Sequence, residues 1–307
     1  MATIDSHLSS DEETKNREAE PTGSPHDALF FVLAYLPVYE LLVMSQVCVS
    51  LREALKNDVL PWQNICVERP LNSRLSIEGL LEIASRANGR LKSLSLVNCG
   101  KITDDELQRI VDENPIIRKL HVPGCTGLTP EGIIRAVKTL SQHHGNLESI
   151  QINGLFGVEK EHLETLCSYL QPYSANQQKQ PIFYHQYRSF QTSRNKEGRR
   201  IDVEVCPICS QVRMVFSCSR ETCEKKIDCR GCNFCILRCA ECGVCVGEIG
   251  ETICADIVCL NCWLHLPKCN FCNEPYCNQH LSPCSSTGFV CDVCDMKAVK
   301  FINDVSD

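Results

Sequence analysis

Between residues 24 and 66 the apolar positions recur every three or four residues, the spacing of one helix face. In "SPHDALFFVLAYLP" Ser24 reads as an N-cap, Pro25 as the first helical residue and Asp27 as the third, a capping-box pattern. Leu29, Val32, Leu33 and Leu36 form the stripe, and Pro37 ends it. "YELLVMSQVCVSLREAL" predicts a second helix with Leu41, Met44, Cys48, Leu51 and Leu55 on one face. Leu42, Val43 and Val47 lie off that stripe. A unit of about forty residues is too small to bury so much apolar surface alone. It therefore docks on the next domain or offers an apolar face to a partner.

A longer period follows over residues 67–170. "LKSLSLVNCGKITDDELQRIV" (91–111), "IRKLHVPGCTGLTPEGIIRAV" (117–137) and "LESIQINGLFGVEKEHLETLC" (147–167) align at offsets of 26 and then 30 residues. Leu94 matches Leu120 and Ile150, and Leu96 matches Val122 and Ile152. This is leucine-rich-repeat spacing: a strand, a turn and a helix that buries its apolar face only against its neighbours. Thr103 with Glu106 makes a capping box, Thr129-Pro130 marks another helix start, and a partial unit from Ile65 to about Ala87 caps the stack. Cys99 and Cys125 resemble the cysteines of the cysteine-containing leucine-rich repeats, which implies that they pack in the interior. The inner strand face presents Ser93, Ser95, Val97, Lys119, His121, Pro123, Ser149, Gln151 and Asn153. Within it Ser95, Val97, His121, Gln151 and Asn153 are candidate partner contacts.

Polar text frames these segments. Residues 1–23 predict a disordered acidic tail, residues 171–200 a linker with the basic end "RNKEGRR", and residues 297–307 a second tail. The fold class is therefore multidomain: an α-helical unit at 24–66, a short α/β repeat solenoid at 67–170 and a small zinc-stabilised region at 201–296.

That last region is where the cysteines gather. Of 24 in the chain, 19 lie between Cys206 and Cys294. Most fall in Cys-x-x-Cys pairs, whose thiolates reach one ion from a tight turn, and tetrahedral Zn(2+) takes two such pairs. The candidate ligands are Cys206, Cys209, Cys218, Cys223, Cys229, Cys232, Cys235, Cys239, Cys242, Cys245, Cys254, Cys259, Cys262, Cys269, Cys272, Cys277, His280, Cys291 and Cys294. His265 reads equally as a ligand or a packed side chain. About four ions are expected. Consecutive pairs could share an ion, or alternate pairs could interleave in a cross-brace. Cys206, Cys209, Cys218 and Cys223 recur 36 residues on as Cys242, Cys245, Cys254 and Cys259, which predicts two related units, each with a hairpin.

Composition narrows the chemistry. Net charge is -7, and the few scattered basic residues of 206–294 argue against nucleic acid. No run of 18 apolar residues exists to span a membrane, and the polar N-terminus lacks a secretory signal. The expected compartment is cytoplasm or nucleus, where disulfides are disfavoured. Nucleophilic catalysis would want one exposed thiolate beside a base, and nothing in the sequence marks one cysteine out.

The order Pro25, Leu29, Leu33, Leu36, Pro37, Leu41, Val47-Cys48 and Leu60-Pro61-Trp62 resembles the F-box. With short repeats and a cysteine-rich end, the chain looks like a plant Skp-interacting F-box protein. The resemblance implies a Skp-type adaptor docked through Pro25, Leu29, Leu33, Leu36, Pro37, Leu41 and Val47. A cullin is bound through that adaptor, and an unknown protein substrate is recruited for ubiquitination. The chain would be a non-catalytic subunit. The alternatives are a RING-like zinc domain that acts as a ligase directly, and zinc-dependent nucleic-acid binding.

Overall fold

The computed structural model describes residues 26–143, 147–170, 181–189, 199–224, 228–247, 249–276, 290–291 and 294. Both expected tails, Ser24, Pro25, Cys277 and His280 lie outside the described residues.

Helix α1 (Asp27–Leu33) is capped by His26, whose Nδ1 accepts from the Ala28 N–H at 3.1 Å. The cap therefore falls two residues beyond the expected Ser24, because His26 supplies the acceptor that the first turn needs. Pro37 caps α2 (Val38–Val47). The predicted second helix is in fact two. Cys48 is extended, with φ -154° and ψ 165°, and α3 (Val49–Asn57) starts afresh after it. The β-branched neighbours Val47 and Val49 weaken helix continuation there. Arg52 Nε–H donates to the Ser45 carbonyl freed by the break, at 3.0 Å. The break folds α3 back against α2, so Leu33, Leu41, Leu51 and Leu55 share one interior. Trp62, in the 3-10 turn Leu60–Trp62, plugs its end and donates Nε1–H to the Leu55 carbonyl at 2.8 Å.

The bundle runs straight into β1 (Asn64–Val67), followed by α4 (Leu71–Arg74) and α5 (Ile77–Ser85). Then come β2 (Ser93–Leu96), α6 (Asp104–Glu113), β3 (Lys119–His121), α7 (Pro130–His143), β4 (Ser149–Gln151) and α8 (Lys160–Tyr169). The strands form one parallel sheet in the order β1-β2-β3-β4. Leu94 pairs with Leu120 and Leu120 with Ile150, the same residues that align in the sequence. Asn98, Gly124 and Gly154 hold φ of 53°, 68° and 84° at equivalent places after the strands. The φ of Gly124 favours glycine, and a Cβ there would lie 2.0 Å from Asn98 Oδ1, so that side chain would have to move. The capping box at Thr103 and Glu106 forms, with the Thr103 N–H 2.9 Å from Glu106 Oε2. Cys99 and Cys125 are buried, and Cys125 Sγ–H donates to the Leu96 carbonyl at 3.1 Å.

The expected linker is partly structured. Helix α9 (Tyr184–Ser189) sets Tyr184 edge-on to Phe216, with ring centroids 5.3 Å apart. Asn153 Nδ2–H donates to the Tyr187 hydroxyl at 3.0 Å. Ile201 extends the sheet beyond β4 by a parallel bridge to Ile150, whose N–H donates to the Arg200 carbonyl at 2.6 Å. The Asp202 carboxylate then accepts from the N–H groups of Ile152 and Asn153 at 2.8 and 3.1 Å. Apolar residues rather than charge decide this: Ile182, Tyr184, Tyr187, Met214 and Phe216 join the core that begins at Leu33. Two antiparallel hairpins follow, β5 (Glu204–Val205) with β6 (Val212–Arg213) and β7 (Ile249–Glu251) with β8 (Ile257–Cys259). Helix α10 (Leu260–His265) closes the second.

Candidate metal centres and docking face

Three cysteine turns are built alike. At Cys206, Cys239 and Cys269 the cysteine N–H donates to the carbonyl five residues on: Gln211, Val244 and Glu274, at 2.8, 2.9 and 3.0 Å. The cysteine carbonyl accepts from the N–H four residues on, at 2.9 Å in each case. That fourth residue has positive φ: Ser210 59°, Gly243 75° and Asn273 57°. The residue before each cysteine pairs with the residue six after it: Val205 with Val212, Arg238 with Cys245, and Lys268 with Pro275. Each turn points two sulfurs and several N–H groups at one place.

The turns assemble four quartets, each with all sulfurs within 4.8 Å of one another. The first is Cys206, Cys209, Cys232 and Cys235; the second is Cys218, Cys223, Cys229 and Cys245. The third is Cys239, Cys242, Cys259 and Cys262, and the fourth is Cys269, Cys272, Cys291 and Cys294. Sulfur pairs stand 3.8 to 3.9 Å apart in all four. That is twice a disulfide length of about 2.05 Å. It equals the edge of a tetrahedron with ~2.3 Å zinc–sulfur bonds.

The electrostatics fit a cation. Burial alone would raise the Cys206 thiol, but N–H groups of Cys209, Cys232 and Ile208 outweigh it and bring Cys206 down to about 6. Cys269 is brought to about 6 in the same way, by N–H groups of Cys272, Cys291 and Phe271. Burial and then hydrogen bonding to neighbouring sulfurs push Cys235 and Cys229 up to about 12. Four adjacent sulfurs cannot all ionise by themselves, whereas a divalent cation makes four thiolates favourable. The quartets can therefore each hold one tetrahedral metal ion.

The spatial phase differs from the 36-residue recurrence. Cys206 is equivalent to Cys239 and Cys269, 33 and 30 residues apart, and not to Cys242. Thus Cys235 ends the first unit and Cys239 begins the second. The equivalence resides in backbone hydrogen bonds, which cysteine spacing does not record. Along the chain the quartets interleave in the manner of a cross-brace: the two pairs of the first enclose Cys218, Cys223 and Cys229 of the second, and the two pairs of the third enclose Cys245. The second quartet takes Cys218, Cys223 and Cys229 from inside the first unit and Cys245 from the turn of the second. Among the described residues Cys254 is not one of the four quartets' sulfurs; it lies half-buried beside the fourth, next to Ile253 and packed against Cys269, Tyr276 and Cys291. His265 is exposed, with Nδ1 2.7 Å from the Asn261 carbonyl.

At the other end the residues expected to touch an adaptor divide. Leu33 and Leu41 are core, 2% and 0% exposed, because the helix stripe faces inward. Leu29, Leu36 and Pro37 are half-buried, and Val47 is exposed. Helical periodicity marks the interior at Leu33 and Leu41, but it put Val32 on the inward stripe, whereas Val32 is 47% exposed on the outer face. Phe31, Val32, Tyr35, Tyr39, Val43 and Val49 lie exposed there, Tyr35 by 83%. On the sheet, Ser95, Val97, His121, Gln151 and Asn153 are half-buried. His121 Nε2 sits 2.9 Å from Ser149 Oγ, while the Asn153 side chain is held by Tyr187.

A three-helix bundle with a filled core and an apolar outer face, joined to a cysteine-rich end, defines the class. Residues 25–63 match the F-box domain, and residues 202–271 match the At3g27290 F-box protein C-terminal domain. The chain belongs to the F-box protein family. It is 43% identical over 303 residues to F-box protein SKIP28 of Arabidopsis thaliana, covering 93% of this chain and 95% of that protein. It is 36% identical to F-box protein SKIP14 of the same plant, over 79% of this chain and 55% of that protein. F-box protein At3g27290, also from Arabidopsis thaliana, is 32% identical over 77% of this chain and 65% of its own length.

Proposed function

We propose that the chain is the non-catalytic, substrate-recruiting subunit of a Skp–cullin–F-box ubiquitin ligase in the cytoplasm or nucleus. The observation that carries this reading is the apolar outer face of a bundle whose own core is complete. Tyr35, Val47 and their neighbours remain exposed although Leu33, Leu41, Leu51, Leu55 and Trp62 fill the interior. Such a face calls for a cover, and the F-box match supports a Skp-type adaptor in that place, with a cullin beyond it.

The stacked strand–turn–helix units are of leucine-rich-repeat type, and together with the cysteine-rich end they form the substrate side. Each quartet holds one Zn(2+). With four sulfur ligands such an ion has no open position for water or substrate, so it supplies structure and not chemistry. The subunit acts by proximity: it keeps a substrate lysine near the charged conjugating enzyme and raises its effective concentration.

The test is co-purification with a Skp-type adaptor. Deleting the F-box is a poor probe, because its core is continuous with that of the sheet. Tyr35→Asp and Val47→Asp change only exposed positions. Each should cut adaptor recovery at least tenfold while leaving the circular dichroism unchanged. Full recovery with the double variant would rule the reading out.

A further inference from the structure

The second quartet differs from the other three in joining two units, and a buried charge stands beside it. Arg238 is 1% exposed, and among the described residues no other charged side chain is buried. Its Nη2 donates to the carbonyls of Phe216 and Cys229, both at 2.8 Å. Its Nη1 approaches Cys229 Sγ at 3.9 Å. Nε makes no hydrogen bond, and among the described residues no carboxylate pairs with the guanidinium.

An arginine keeps its charge at any pH a protein survives. A buried charge must be compensated, and carbonyl dipoles do this only in part. Among the described residues the group able to carry negative charge that the guanidinium approaches is Cys229 Sγ of the second quartet. A divalent ion with four thiolates has a net charge of 2-, and the guanidinium offsets half of it. The backbone makes the link tighter. Arg238 pairs as a strand residue with Cys245, the ligand from the second unit, while its side chain reaches Cys229, a ligand from the first.

We propose that Arg238 is the counter-ion and positioning residue of the second metal centre, and that this centre with Arg238 is the staple between the first two cysteine units. The inference rests on the reading that the quartets hold zinc. Charge and geometry then act together. The guanidinium sets a positive charge 3.9 Å from Cys229 Sγ, and its two carbonyl contacts keep the first unit's loop in place to receive Cys245.

The experiment uses the full chain, titrated with a chromophoric chelator, and reads zinc equivalents released. Outer-shell partners of metal ligands commonly change affinity by about 10–100-fold. Arg238→Met should therefore let one equivalent of four leave at a chelator concentration at least tenfold lower than in wild type. Cys229→Ser should release the same single equivalent. Arg238→Lys, which keeps the charge, should retain it better than Arg238→Met. Four equivalents with wild-type affinity in Arg238→Met would overturn the proposal and leave the zinc reading intact. A wild-type chain without zinc would overturn both. Should Arg238→Met fail to fold, Arg238→Lys decides: four retained equivalents support a charge role, and loss of the fold in it as well refutes one.

Discussion

Trp62 shows how one side chain can join two parts of the molecule. It is fully buried, bonds to the Leu55 carbonyl at 2.8 Å and stands just before β1. Truncation to alanine removes a large packed ring and leaves that carbonyl unmet. Trp62→Ala should cost about 3–5 kcal/mol in denaturant unfolding, and a loss below about 1 kcal/mol would show that the plug is dispensable. His121 gives a second test, in pH. Burial first and the charge of Lys119 second bring its pKa from 6.5 down to about 4. The folded chain keeps the ring neutral, while the unfolded chain binds a proton below 6.5. The stabilising contribution is complete above pH 6.5 and declines as the pH falls toward 4. Across that window wild type should lose more stability than His121→Gln, and equal slopes would refute the assignment. Neither property is written in the local sequence. His121 looks like a polar residue on an outward strand position, and only the neighbouring strands desolvate it.

Among the elements, the cysteine turns are the most informative. Ser210, Gly243 and Asn273 occupy the same left-handed position, where a side chain costs about 1–2 kcal/mol relative to glycine. Gly243→Ala should therefore destabilise the metal-loaded chain by at least that amount, since its Cβ would also meet His185 Nδ1 at 2.3 Å. Ser210→Gly should not destabilise it. Thermal melts of the two variants separate these outcomes, and similar effects in both would deny the equivalence of the turns. Three different residue types serve that position, so the phase of the units was hidden in the text. The cysteine pairs were legible, but spacing alone aligned Cys206 with Cys242 where the backbone aligns it with Cys239. The strand register was legible because several apolar positions repeat together, as at Leu94, Leu120 and Ile150. The break at Cys48 was not, since Leu41, Leu51 and Leu55 stay in helical phase on either side of it.

At the scale of the whole molecule, one apolar core runs from Leu33 in the first helix to Phe216 in the cysteine-rich region. The junction is polar as well as apolar: Asp202 alone receives two N–H groups from the end of β4. Asp202→Ala leaves both without that acceptor, at about 1–3 kcal/mol if water does not replace it, and should expose the backbone at Arg200 and Ile201 to faster proteolysis. Coupling of this kind would carry the effect of ions held by the quartets far from the quartets themselves. The cysteine-rich units have few large buried side chains, so on the proposed zinc reading their folding depends on the ions. Phe216 and Met214 are held in the shared core by those units, and losing them uncovers Tyr184, Tyr187 and the edge at Ile150. The chain has two tryptophans, Trp62 and Trp263, so in Trp263→Phe the fluorescence reports on the F-box bundle alone. Chelation of that variant should lower the thermal midpoint seen by Trp62 by several degrees, although none of the four quartets includes a residue of the bundle. An unchanged midpoint would mean that the two ends fold independently and that the shared core does not transmit stability between them.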